Sequence, residues 1–233
     1  MQNILTDLTA RLKDLFGNEL LALILYGSAA RGTYRKGVSD INVLVLLEKS
    51  SPEKILEMGR NIKTFLLKHR LNPRVMTRDE FLSSCDVFPL EYSDILEAHQ
   101  ILYGDAEILN IEISRTHLRY QMEEKLRGAV GDLRYMLLAS GGSEKELLKL
   151  LSRWTGLCET IFRGLLRLKG EKIIPYELKL LLEKVCAAYG VNLDAFAALE
   201  RHRQGEKIQA VEITGPLLEA LKALVRVVDT MTV

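Results

Sequence analysis

One stretch constrains this chain more than any other: LALILYGSAARGTYRKGVSDINVLVLL, from Leu21 to Leu47. Its two apolar runs, Leu21–Tyr26 and Val43–Leu47, are short, continuous and bounded by turn residues, the pattern of strands buried on both faces. Polar chemistry is confined to the segment between them. Gly27-Ser28 is a small pair that lets backbone N–H groups approach an anion, and Ser28 adds a hydroxyl donor. Ala29-Ala30-Arg31 can open a helix whose N-terminus favours phosphate. A loop with Gly32, Arg35, Lys36 and Gly37 then leads to Ser39-Asp40-Ile41-Asn42. Residues two apart on a strand share a face, so Asp40 and Asn42 are expected to point together toward the phosphate loop.

The rest of the chain reads as alternation first and helices afterwards. Ile4, Leu5, Leu8, Leu12, Leu15 and Phe16 fall at helical spacing ahead of Gly17. Ser50-Ser51-Pro52 supplies a cap and a first-turn proline for a helix running to His69. Asn72-Pro73 reads as a break, and Arg74–Thr77 as a short third strand. Thr77-Arg78-Asp79-Glu80 fits a capping box. A proline-led helix near Pro89 precedes a strand ending at Leu102-Tyr103-Gly104.

Beyond Asp105 the period is 3.6 throughout. Leu118, Met122, Leu126, Val130, Leu133 and Leu137 make one stripe, and Leu147, Leu151, Trp154, Cys158, Ile161, Leu165 and Leu168 a second. Further helices are expected to open at Pro175, at Asn192 and at Thr214-Gly215-Pro216. Short connections between such segments predict an antiparallel bundle. The boundary is placed at 110, giving an α/β unit over 1–110 and a helical bundle over 111–233.

The motif GS-x-x-RG at Gly27-Ser28 and Arg31-Gly32, followed by Ser39-Asp40 two residues before position 42, resembles the signature of the nucleotidyltransferase superfamily. The likeness covers residues 20–105. It implies a mixed-sheet α/β domain followed by an all-α bundle, with Gly27, Ser28, Arg31 and Ser39 on a nucleoside triphosphate. It also implies a carboxylate pair on one strand and a third carboxylate on a later strand, holding Mg²⁺ for attack by an acceptor hydroxyl on the α-phosphate. The pair falls on Asp40 and Asn42, the candidate catalytic and metal residues. Asn42 is neutral, which removes one negative charge from a site built for hard cations. The third strand, Arg74-Val75-Met76-Thr77, has no acid. Glu91 and Asp94 on the short helix read as solvated carboxylates, and His69 and His99 as isolated histidines.

Composition narrows the function classes. With 233 residues, 48% hydrophobic, and a net charge of +1, the chain has a sizeable core and no overall field directed at nucleic acid or an acidic membrane. Cys85, Cys158 and Cys186 are scattered and read as reduced core thiols, the pattern of a cytoplasmic protein. No 18-residue apolar run is present, and MQNILTDLTARLKDLFG has acidic residues and no uninterrupted apolar stretch, so a soluble, unexported protein is expected. Arg119, Arg127, Arg134, Lys149, Arg153, Arg163 and Arg167 form either a solvated face balanced by Glu123, Glu124 and Glu146 or a basic wall toward a nucleotide. Glu123, Glu124 and Glu159 are candidate general bases. The last helix is a candidate face for a homodimer. Two functional readings stand together. One is an enzyme moving a nucleoside monophosphate to a small-molecule or protein hydroxyl; the other is a catalytically inactive protein of that fold with a nucleotide-binding, regulatory or partner-binding role.

Overall fold

The computed structural model describes residues 1–34, 39–171 and 174–233, so Arg35, Lys36 and Gly37 lie outside the described residues. The chain divides into two compact units, Met1–Ile113 and Ser114–Val233.

The first unit is built on four strands: β1 (Leu20–Tyr26), β2 (Ile41–Leu47), β3 (Leu71–Thr77) and β4 (His99–Tyr103), in the order β3-β2-β1-β4. β1 runs antiparallel to both β2 and β4, whereas β2 and β3 are parallel. A parallel pair needs a crossover long enough to return to the same end of the sheet, and α3 (Pro52–His69) supplies it. The Ser51 side chain caps α3 by accepting from Lys54 N–H at 3.4 Å, with Pro52 in the first turn.

Alternation along the strands sorts the core into two layers. Leu23, Leu25, Ile41, Val43, Val45 and Leu47 point to one face, where they pack with Leu5, Leu8, Leu12 and Phe16 of α1 (Gln2–Phe16) and with Met58 and Ile62 of α3. Ala22, Ile24, Leu44 and Leu46 point to the other. There they meet Phe81 of α4 (Arg78–Ser83) and Tyr92 and Ile95 of α5 (Pro89–Glu97). Thr77 and Glu80 form the capping box expected for α4, at 3.2 and 2.7 Å. Tyr92 stacks on Phe81 with ring centroids 4.7 Å apart, and its hydroxyl donates to the Phe81 carbonyl at 2.6 Å. After β4, Gly104 turns the chain at φ 88°. A Cβ there would run into the Leu21 carbonyl, with Ala22 Cα 2.9 Å away, so no side chain fits.

The start of β3 departs from expectation. β3 starts at Leu71 and includes Asn72-Pro73, which the sequence marks as a break. Pro73 is tolerated because β3 is an edge strand, where a missing N–H can face away from the sheet.

The second unit is helical: α6 (Arg115–Ala139), α7 (Glu144–Leu168), α8 (Leu178–Tyr189), α9 (Asp194–Arg203) and α10 (Ala210–Asp229). The two long stripes supply its core, with Leu126, Leu133, Leu151, Cys158 and Leu165 fully enclosed; Leu137 is the exception, exposed at the end of α6 where Met136 takes the buried position. Trp154 and Phe162 pack around Phe196 at centroid distances of 5.9 and 4.9 Å. α8 begins three residues after Pro175, and α9 begins after Asn192, whose side chain accepts from Asp194 N–H at 2.7 Å. α10 starts earlier than its sequence suggests, at Ala210, and Pro216 lies inside it. The start is fixed from outside the helix, because the Glu144 carboxylate takes the Ala210 N–H. Among the described residues no helix is long and apolar enough to cross a membrane.

Arg119, Arg127, Lys149 and Arg163 of this unit are each paired with a carboxylate. Glu123 joins Arg119 at 3.2 Å and Arg127 at 2.8 Å, Lys149 joins Glu146, and Glu159 joins Arg163 and Arg203. Cys158 is buried, and all three cysteines are free thiols.

Candidate nucleotide site

The site lies where β1 ends, β2 starts and α2 (Ser28–Arg31) begins. Gly27 carries φ 76° and ψ −150°, a conformation open essentially to glycine alone. It is buried, and a Cβ there would stand 3.1 Å from Asn42 Nδ2. The loop therefore lies against Asn42 as closely as a backbone can. The turn is closed by Arg31 N–H donating to the Gly27 carbonyl at 3.1 Å and Thr33 N–H to the Ser28 carbonyl at 3.0 Å. α2 has a single turn, so its own dipole is small and the donors that count are its first N–H groups, which have no acceptor within the helix.

Strand register puts four polar residues in one row across the sheet. Tyr26 pairs with His99 on one side and Asn42 on the other, and Asn42 pairs with Asn72. Asn72 Nδ2 donates to Asn42 Oδ1 at 3.2 Å. The Asn42 carbonyl oxygen thus accepts from a neighbouring strand, and its NH₂ group faces Gly27. A side chain expected to offer an oxygen to a cation offers a donor to the loop.

Asp40 is engaged as well. Its Oδ1 lies 2.8 Å from Arg70 Nη2. Arg70 caps α3 at φ 53°, the one non-glycine residue with positive φ among those described. Its carbonyl accepts from Ile41 N–H at 2.8 Å, so one residue holds both the backbone and the side chain at the start of β2. Ser39, the remaining predicted phosphate residue, is half-buried at the bend before Asp40.

One step along the same face, Leu44 is paired with Arg74 of β3. The Arg74 guanidinium bonds Glu91 of α5 and sits 5.2 Å from the centre of the Phe88 ring. Arg31 reaches Asp94, one turn further along α5, at 3.4 Å. Burial raises the pKa of the Tyr26 phenol; Arg74 opposes the shift, and Glu91 and Asp94 add to it. These five side chains form one electrostatic group beside the Gly27 loop.

Sequence reasoning named Gly27, Ser28, Arg31, Ser39, Asp40 and Asn42 but missed Tyr26, Arg70 and Asn72, and it took Glu91 and Asp94 for solvated carboxylates. The i, i+3 spacing of the two acids opposite two arginines was the available signal. The histidines are spoken for locally: His69 packs on Phe65 at 4.7 Å, and His99 Nδ1 lies 3.0 Å from the Ile95 carbonyl.

Do these groups suit a divalent cation? Mg²⁺ asks for near-octahedral oxygen donors with one or two carboxylates among them. Among the described residues no group of three or more His, Cys, Asp or Glu is placed to hold a metal ion. Asp40 is paired with a cation, the Asn42 oxygen accepts from Asn72, and β3 presents Arg74. The donor set does not fit a two-metal centre.

Comparison with known proteins bears on the fold that carries this site. Residues 5–102 match the family model described as a nucleotidyltransferase domain. A Methanocaldococcus jannaschii protein, named provisionally as a protein adenylyltransferase, is 29% identical over 108 residues, 44% of this chain and 71% of the relative. The crystal structure of spectinomycin adenyltransferase from Enterococcus faecialis, with ATP and spectinomycin, superimposes with a TM-score of 0.60 at 14% identity. That match covers 95% of this chain and 99% of the other. Over residues 5–102 the mixed-sheet unit is similar to the nucleotidyltransferase domain, and the chain shares the fold of the spectinomycin adenyltransferase.

Proposed function

We propose that this protein binds a nucleoside triphosphate, with the phosphates on the Gly27-Ser28 loop, and acts through that binding rather than through two-metal nucleotidyl transfer. The observation that carries the reading is the state of Asn42. Its oxygen accepts from Asn72 and its NH₂ group faces the loop, an arrangement suited to an anion and not to a cation. Gly27 brings the loop backbone against it, Ser28 supplies a hydroxyl beside the free N–H groups of the first turn, and Arg31 supplies charge.

A second reading is supported by the extent of the structural likeness. It covers 95% of this chain, both the α/β unit and the helical unit, and the matched protein was crystallised with ATP and spectinomycin. In that reading Asp40 and Asn42 handle the α-phosphate while a small-molecule or protein hydroxyl attacks it.

Calorimetric titration of ATP, GTP, CTP and UTP, with Mg²⁺ and with EDTA, combined with a pyrophosphate-release assay, decides between them. The binding reading expects a nucleotide to bind and no pyrophosphate to appear with spectinomycin or a hydroxyl-bearing protein as acceptor. Pyrophosphate release that Asn42→Ala abolishes overturns it in favour of transfer. Failure of all four nucleotides to bind removes both readings.

A further inference from the structure

The acidic pair on α5 is set opposite the two arginines of the site, and the two kinds of group are held unequally. Arg31 is only 11% exposed and Arg74 33%, whereas Asp94 is 31% and Glu91 48% exposed. Arg74 is rooted on a strand and backed by the Phe88 ring, and Arg31 follows directly from the Gly27 loop. Each carboxylate stands on a nine-residue helix and is more exposed than the arginine it is paired with. The Arg31–Asp94 separation of 3.4 Å is also longer than the roughly 2.7–2.9 Å of a close charge-assisted bond. Two positive and two negative groups make the cluster neutral as it stands. That balance needs no metal ion, and it leaves the cations ready for any stronger anion that arrives.

We infer that Glu91 and Asp94 are an internal stand-in for phosphate. In the empty protein they occupy Arg74 and Arg31; when a polyphosphate enters, its oxygens displace the two carboxylates and take both guanidiniums. The arginines then supply the countercharge that a divalent cation supplies elsewhere, and the acidic pair sets how tightly the site closes on its ligand. A guanidinium presents a planar fork of donors that suits phosphate oxygens, and a polyphosphate carries more charge than a single carboxylate, so the exchange is favourable. The same arrangement makes the site selective. A ligand with one negative charge gains too little to displace two carboxylates, while a triphosphate can meet both arginines at once. This inference rests on the nucleotide-binding reading above and adds to it the identity of the groups that hold the phosphates and of those that compete with them.

The test uses the full chain in EDTA-containing buffer, with ATP and inorganic triphosphate as probes. The proteins are wild type, Asp94→Asn, the double variant Glu91→Gln/Asp94→Asn, and Arg74→Gln, each checked for native unfolding temperature and circular dichroism. Wild type is expected to bind both probes without metal. The double variant is expected to bind them at least about tenfold more tightly, Asp94→Asn to fall between, and Arg74→Gln to lose most of the affinity. If the carboxylates serve only to pin α5, removing them lowers the unfolding temperature and leaves affinity unchanged or weaker, which overturns the inference. Should the double variant not fold, Asp94→Asn alone separates the same two outcomes. Binding that requires Mg²⁺ and ignores Arg74 overturns it too, while leaving the nucleotide reading in place. No binding by any of the four proteins, with or without Mg²⁺, overturns that reading and this inference together.

Discussion

At the scale of single residues the site depends on one glycine and one amide. Gly27 combines a backbone conformation that costs other residues about 1–3 kcal/mol with a 3.1 Å approach to Asn42 Nδ2. Gly27→Ala is therefore expected to destabilise the protein by about 1–3 kcal/mol and to weaken nucleotide binding tenfold or more, read by thermal unfolding and titration on the same sample. A drop in affinity without a drop in stability would show that the loop tolerates a side chain and that the loss is local to the ligand. How far the site was legible follows from the same residues. Gly27, Ser28, Asp40 and Asn42 lie close together in sequence, and their types announce them. The partners that decide their chemistry do not. Arg70 and Asn72 reach Asp40 and Asn42 only because β3 returns parallel to β2 in a particular register, and a register of that kind is fixed by packing of the crossover helix.

At the scale of elements, the strongly periodic segments were the legible ones. The stripe of α7, most of that of α6, and the capped starts at Ser51 and Thr77 appear where the pattern puts them. Punctuation by proline was less dependable: Pro73 sits within an edge strand and Pro216 within a helix, each admitted by its surroundings rather than by its own preference. Ion pairs along α6 give a measurable pH effect. The Glu123 carboxyl is held below the ordinary carboxylate range, chiefly by its hydrogen bond from Arg127, with Arg119 adding to it. Arg119 in turn donates to the Val228 and Asp229 carbonyls at 3.1 and 3.3 Å, so the network ties α6 to the end of α10. Because the folded pKa lies below the unfolded one, the unfolded chain binds the proton more readily between the two values. The contribution to stability is then complete above the unfolded carboxylate value and is lost as pH falls through the folded one. Glu123→Gln is expected to flatten the acid side of the unfolding-temperature profile and to lower stability at neutral pH. An unchanged slope below the ordinary carboxylate range would assign acid sensitivity to other groups.

At the scale of the whole molecule, each of the two units has its own core, with the sheet between α1/α3 and α4/α5 in one and the α6–α10 bundle in the other. A unit that buries its own apolar stripes is expected to fold by itself. A fragment spanning residues 114–233 is predicted to be soluble, helical by circular dichroism and cooperative on heating. Aggregation, or a broad non-cooperative transition, would mean that α6–α10 need the first unit to fold. The fold class follows from the switch of period near residue 110, from short apolar runs to long helical stripes, which is visible in the residue pattern itself.

The position of β1 also has a consequence for synthesis. It is a central strand, flanked by β2 and β4, yet β4 lies about 70 residues downstream of it. A ribosome adding roughly 5–20 residues per second leaves the outer edge of LLALILY without a partner for about 4–14 s after β1 itself has emerged. During that interval the nascent chain presents a flat apolar edge, the surface most prone to pairing with another chain. His99–Tyr103 thus completes more than a sheet: until it is made, every copy on a polysome is a potential template for its neighbour.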